Sequence, residues 1–380
     1  AVRTMKFTTG SGLKVQIDGH LQTGEGKQRG ALKTVVEMEQ PAALVALLRF
    51  VDLPEAQALE TRAASLMPLR LAGIVTVGAR GGGGFELLLD GAAQDTRTSL
   101  VVRGDQELAG WRTGAIDVTG MLENTKSSHL LAQLLPGIAP PSQGAGEQGR
   151  ISIRANGLPK TGISAAIELE SRAVEAGFSG VITLPGDQPT MSGEIGLKSA
   201  DVADSLRLVG LRGVRALQGR DLVLHARVSA KGDSIEVADA ALRLGSASAE
   251  ANGRILRRDG RLDIDLKAKA SNASLPALLA IALGTGQGAA PAAGNINSSG
   301  QSIWADEAID LAGIGEIGGK VRLNSDTLSI GQSMTLRHAT LDLEVTPTAV
   351  EVKGLTGEAL GGRVIVNARA EKSQSGIALT

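Results

Sequence analysis

The stretch Leu262–Gly284, LDIDLKAKASNASLPALLAIALG, carries two periodicities in succession. In its first half Leu262, Ile264, Leu266, Ala268 and Ala270 alternate with Asp263, Asp265, Lys267 and Lys269. That period of two is what a strand shows when one face meets apolar neighbours and the other meets water. From Ser274 onward Leu275, Leu278, Leu279 and Ala282 fall at helical spacing, and Gly284 supplies a stop. Ser274 reads as an N-cap, and Pro276 lies in the first turn, where its missing N–H costs nothing. The local plan is an alternating strand running into a short apolar helix.

The plan recurs. Ala115–Gly137 and Ser192–Leu211 repeat it, with helices expected from Ser127 to Gly137 and from Asp201 to Gly210. The helix starts are spaced by 74 and then 73 residues, and a looser copy, Val35–Leu53, has its helix near Pro41. Fixed-period self-similarity marks a stacked array whose units bury their apolar faces against one another. The units read as 1–53, 54–137, 138–211, 212–284 and 285–380, each of about four strands and one helix. Other alternating runs are Asp221–Ala230, Arg150–Ala155, Ile163–Glu170, Gly193–Lys198, Thr340–Val345 and Arg363–Ala370. Asp90-Gly91, Asn156-Gly157, Pro185-Gly186-Asp187, Lys231-Gly232-Asp233 and Asp259-Gly260 read as hairpin turns, which make the array an antiparallel meander. The expected fold is mainly β: an extended antiparallel repeat sheet with short helices between repeats.

Composition narrows the function classes. Aromatics are 2% of the chain, Tyr is absent, and 50 of the 380 residues are Gly, so the apolar faces are smooth and aliphatic. A net charge of −1 removes the electrostatic case for nucleic acid, and so few rings leave little for bases to stack on. Zero Cys excludes disulfides, thiolate metal sites and Cys nucleophiles. The longest apolar runs, Ala42–Leu53 and Leu275–Leu283, are too short to span a bilayer. The opening on Ala1 and the stop inside an apparent strand read as an excised piece of a longer protein, with any membrane anchor outside it.

Chemical motifs have ordinary readings. His20, His129, His225 and His338 share no metal-ligand spacing and read as solvated surface residues. Gly81–Gly84 lacks the Gly-Lys-Ser/Thr ending of a phosphate loop and reads as a hairpin tip. Asp263 and Asp265 continue into Lys267 and Lys269, a solvated strand face rather than an acid–base pair. Trp111 and Trp304 read as packing residues. No catalytic residue, metal ligand or cofactor is expected, and the chain reads as no enzyme.

The segment Gly318–Ala370 resembles the C-terminal region of AsmA-type bacterial envelope proteins. The likeness rests on Val321–Leu323, Asp326-Thr327-Leu328, Ile330, the aliphatic Leu336, Ala339, Leu341 and Leu343, then Leu355-Thr356-Gly357 and Leu360-Gly361-Gly362-Arg363-Val364. The strand–helix units resemble that family's repeats, well over Arg150–Thr380 and loosely before it. The resemblance implies a U-shaped β-groove with an aliphatic interior, held to the inner membrane by an N-terminal helix and projecting into the periplasm. It also implies a part in moving phospholipid toward the outer membrane and in outer-membrane integrity.

On periodicity alone a closed sandwich accounts for the alternation slightly better. The scarcity of rings, the repeats and the resemblance turn the reading toward an open or partly open groove. Phospholipids or other acyl lipids are the expected partners, with envelope proteins beside them; each methylene kept from water is worth about 0.8 kcal/mol. The expected contact residues are Ile151, Ile153, Ile167, Leu169, Leu222, Leu224, Val228, Leu262, Ile264, Leu266, Leu341, Leu343, Val364 and Val366. The alternative expectation is a scaffold for outer-membrane protein assembly that pairs sheet edges with client strands.

Overall fold

A computed structural model describes residues 4–10, 12–24, 27–51, 63–80, 83–134, 148–184, 189–202, 205, 219–258, 261–275, 278, 317–330, 334–373 and 376–379. Within them the chain is mainly β and mostly antiparallel, with few helices. It divides into two units: Ala1–Glu194 with Leu208–Gly210, and Ile195–Arg207 with Leu211–Thr380.

The first unit opens with β1 (Thr4–Thr8), β2 (Leu13–Gly24) and β3 (Lys27–Met38), followed by helix α1 (Pro41–Val51). Four strands follow: β4 (Leu69–Arg80), β5 (Gly83–Ala93), β6 (Thr96–Gly104) and β7 (Ile116–Asn124). After helix α2 (Ser127–Leu134) come β8 (Gly149–Leu158), β9 (Gly162–Ser171), β10 (Val174–Thr183) and the start of β11 (Thr190–Ser199). From β1 to β10 each strand pairs antiparallel with the next. The helices sit at one strand end and plug it. Ala43 and Leu44 of α1 close over Leu13, Met38, Leu69 and Ala93, while Leu130 of α2, fully buried, closes over Ile151 and Leu169.

The second unit holds β12 (Leu222–Lys231), β13 (Ser234–Leu244), β14 (Ala247–Arg258) and β15 (Arg261–Ser274). It continues with β16 (Ile317–Ser329), β17 (Thr335–Val345), β18 (Ala349–Ala359), β19 (Gly362–Ser373) and β20 (Gly376–Leu379). Neighbours are antiparallel except β15 and β16, which run parallel with Leu262 opposite Ile317. Bulges interrupt this unit. An extra residue enters β13 at Asp239 (φ 51), β17 at His338 (φ 48) and β18 at Gly354 (φ 75). Each bulge adds local twist and bends its strand. Near those in β17 and β18, Leu323, Leu336, Leu341, Leu343, Val352 and Leu355 are buried in one cluster with Leu275, against which Leu278 packs.

The four-strand, one-helix plan is present: β4–β7, β8–β11 and β12–β15 each lie between successive helical segments. Ser127 is the first residue of α2, and the turn before it is held by Asn124, whose Oδ1 accepts from the Lys126 N–H at 2.7 Å. Of the other two expected helices, Val202, Ser205, Leu275 and Leu278 are helical; the glycines expected to end all three lie outside the described residues. Two hairpin expectations move. Asp90-Gly91 and Asn156-Gly157 lie inside β5 and β8, and the turns follow at Gln94-Asp95 and Pro159–Thr161. These glycines serve close strand approach instead: a Cβ would come 2.1 Å from the Arg70 carbonyl oxygen at Gly91 and 2.3 Å from that of Gly162 at Gly157. Lys231-Gly232-Asp233 does turn, between β12 and β13, while Pro185-Gly186-Asp187 and Asp259-Gly260 lie outside the described residues.

Candidate functional site: an apolar lane across the strands

Residues directly opposite in an antiparallel pair share a face, so the registers of the first unit can be read as rows crossing β2–β10. One row runs Ile17, Thr34, Gly73, Leu89, Leu100, Gly120, Ile153, Ile167, Phe178. The next, two residues along each strand, runs Leu32, Val75, Leu87, Val102, Val118, Ala155, Ala165, Gly180. Apart from Thr34 every member is apolar or Gly, and the large side chains of both rows are half-buried. Rows nearer the strand ends are tighter. Leu13, Met38, Leu69 and Ala93 are buried at the helix end, as are Phe85, Ile116 and Ile163 at the other. The two middle rows form a lane about 7 Å between row centres and about 38 Å long over nine strands.

Glycine levels the floor of this lane. The Leu89 Cδ2 lies 3.1 Å from where a Cβ of Gly73 would stand, and the Leu100 Cδ1 lies 3.0 Å from that of Gly120. Each leucine leans across the strand into the space its glycine partner leaves. This is a use for part of the chain's unusual glycine content that the sequence alone does not disclose.

In the second unit openness grades along a single row. Ile235 is 37% exposed, Ile255 and Ile264 are half-buried, and across Gly319 the row reaches Val345 and Val350, both buried. The expected contact residues sort along the same gradient. Leu222, Leu224, Ile264 and Leu266 are half-buried, and Leu262 is 41% exposed. Val228, Leu341 and Leu343 are packed shut by the protein's own atoms, and Val364 and Val366 lie against that sealed cluster. In the first unit Ile153 and Ile167 are on the lane, whereas Ile151 and Leu169 lie beneath α2. Leu87, Leu89, Leu100, Val102 and Phe178 are not among the residues that the sequence singles out. The run Leu87-Leu88-Leu89 hides its alternation, and the rows they join emerge only once register is known.

The opposite face is charged and paired across strands. Glu236, Arg254, Asp265, Lys320 and Glu344 form one row, with Arg254 Nη2 2.8 Å from Glu236 and Lys320 Nζ 3.8 Å from Glu344. A cleft of about 940 Å³ lies over this row, and its acids and bases neutralise one another. Lys353 donates to Glu344, which holds the Glu344 carboxyl below its ordinary range and lifts the Lys353 ammonium above its own. Ile74, Leu88 and Met121 interrupt that face in the first unit, beside a cleft of about 480 Å³.

A buried polar network fixes α2 at its end of the lane. Asn124 Nδ2 donates to Thr96 Oγ1 at 2.8 Å, Thr96 Oγ1 donates to Gln133 Oε1 at 2.7 Å, and Gln133 Nε2 donates to the carbonyls of Ser65 (2.9 Å) and Ala93 (3.2 Å). The histidines are scattered: His20, His225 and His338 are exposed, and His129 is half-buried on α2. Among the described residues no group of three or more His, Cys, Asp or Glu is placed to hold a metal ion. Trp111 is half-buried with the Arg112 guanidinium 5.3 Å over its ring, and Trp304 lies outside the described residues. No helix among the described residues is long and apolar enough to cross a membrane.

No family model, curated protein or solved structure matches this chain.

Proposed function

We propose that the chain is a non-enzymatic conduit for phospholipid tails, an AsmA-like protein of the bacterial envelope that carries lipid between the inner and outer membranes and so supports outer-membrane integrity. Its place would be the periplasm, with an inner-membrane anchor in the full-length protein. The observation that carries this reading is the pair of middle rows in the first unit, apolar or Gly apart from Thr34, with their large side chains only half-buried. A sealed core would hold these leucines and valines below a tenth exposed, as the second unit holds Leu341 and Leu343. Keeping a tail on such a surface removes about 0.8 kcal/mol of exposure for each methylene covered, while the headgroup stays in water. The lining, aliphatic or Gly apart from Thr34 and Phe178, favours sliding because it holds a tail by non-directional contact alone.

Gentle purification followed by mass spectrometry of extractable lipid tests the proposal, together with transfer of a fluorescent phospholipid between donor and acceptor vesicles. Bound phospholipid and protein-dependent transfer are expected; protein free of lipid that leaves transfer at the spontaneous rate would end the reading. One observation favours the scaffold alternative. Strand β1 pairs with β2 alone among the described residues, and its Met5 and Phe7 are 52% and 55% exposed, so it offers an apolar edge to a client strand. Capture of an unfolded outer-membrane strand without lipid would select that alternative.

A further inference from the structure

We infer that Phe178 decides which hydrocarbon chains the first unit's lane accepts, an inference that rests on the lipid-conduit reading. Over β3–β7 the second row of the lane is built of branched side chains, Leu32 and Val75 through Val118. At β8–β10 it shrinks to Ala155, Ala165 and Gly180, which lowers the floor by several carbons at each strand. Phe178, opposite Ile167 in the adjoining row, fills the β10 end of that recess. Its ring lies over two glycines: a Cβ at Gly180 would stand 2.8 Å from its Cζ, and one at Gly193 would stand 2.8 Å from its Cε2. No other aromatic residue belongs to either row among the described residues.

The ring therefore restores a level surface where the backbone alone would leave a notch. A straight chain lying along the lane keeps contact with it throughout. A chain bent by a cis double bond needs depth or lateral room at the bend, and over Gly180 and Gly193 the ring occupies both. The bare backbone at Gly180 and Gly193 makes Phe178 the selector, because removing that one side chain extends the shallow floor of Ala155 and Ala165 across β10 and β11.

The test is competition between palmitic acid and palmitoleic acid, which have equal length and differ in one cis double bond, for the full chain, read by native mass spectrometry. Wild type is expected to prefer the straight acid about fourfold, the discrimination given by losing contact with one methylene. Phe178→Ala is expected to bring the ratio to about one, and Phe178→Leu, which keeps most of the packing, to an intermediate value. A ratio unchanged in both variants, with both acids still bound, would overturn the role of Phe178 and leave the conduit standing. Failure of both acids to bind wild type would remove the lane as a lipid site and the inference with it.

Discussion

The contrast between Ile264 and Leu341 gives the sharpest test of which apolar residues are available to a guest. Ile264 is half-buried, between Ile255 and Gly319 on the row that grades from open to sealed. Replacing it by Asp forfeits about 1 kcal/mol of the roughly 2–3 kcal/mol that a fully buried isoleucine contributes, and the new carboxylate keeps access to water. In a unit of this size the midpoint should fall by about 2–4 °C. A tail crossing that position must desolvate the carboxylate or lift off, losing contact over about three methylenes, or about 2.4 kcal/mol and roughly 50-fold in occupancy. Leu341 is 2% exposed inside the sealed cluster. Removing its side chain alone costs about 2.7–5 kcal/mol, and an unpaired buried carboxylate adds several more, so Leu341→Asp should unfold its unit. Circular dichroism melts and lipid mass spectrometry on the same preparations read both effects. An Ile264→Asp protein with its full complement of lipid would refute the reasoning, as would a Leu341→Asp protein that melts like wild type.

The remaining predictions concern the plugs and the charged face. Leu130→Ala should lower the stability of the first unit by about 3 kcal/mol in urea denaturation, because Leu130 is fully buried against Ile151 and Leu169. Thr96→Val strands Gln133 Oε1 and the Asn124 amide in a buried site and should cost about 1–3 kcal/mol; a double-mutant cycle with Gln133→Leu should show coupling, since the second change removes one stranded partner. The depressed Glu344 carboxyl contributes stability above the ordinary carboxylate range and loses it as pH falls through its folded value. Raised Lys353 contributes below its ordinary range and loses it as pH rises through its folded value, so Lys353→Met should move the Glu344 titration upward in an NMR pH series.

Much of the fold is legible in the sequence because the period of two survives in most strands and the helix spacing is nearly constant. Leu262 to Ala270 reads directly as β15, and its four-strand neighbourhood follows from turn residues. The misplaced turns share one cause. Asp-Gly and Asn-Gly pairs are turn formers locally, but at Gly91 and Gly157 the absent Cβ is needed by the neighbouring backbone. The site is less legible. Leu341 and Ile264 have the same alternating pattern, yet one is sealed and the other half-open: Leu341 belongs to a cluster with Leu275, Leu336 and Leu355, and bulges at His338 and Gly354 shift the register beside it. A bulge changes phase without a distinctive residue type, as the exposed histidine in β17 shows, and phase decides which neighbours a side chain meets across the fold. Rows such as Leu89–Leu100–Gly120–Ile153 join residues up to sixty-four positions apart, beyond any local window.

The four-strand interval between helices has a consequence for reach. At about 4.8 Å per strand, inserting or deleting one whole repeat changes the span of the sheet by about 19 Å while preserving which way every side chain points. Removing a single strand would reverse the chain direction at the next plug and break the pattern. Proteins on this plan are therefore adjustable in coarse increments, like a ladder extended by whole sections, and two that differ by one section would suit gaps differing by that same distance.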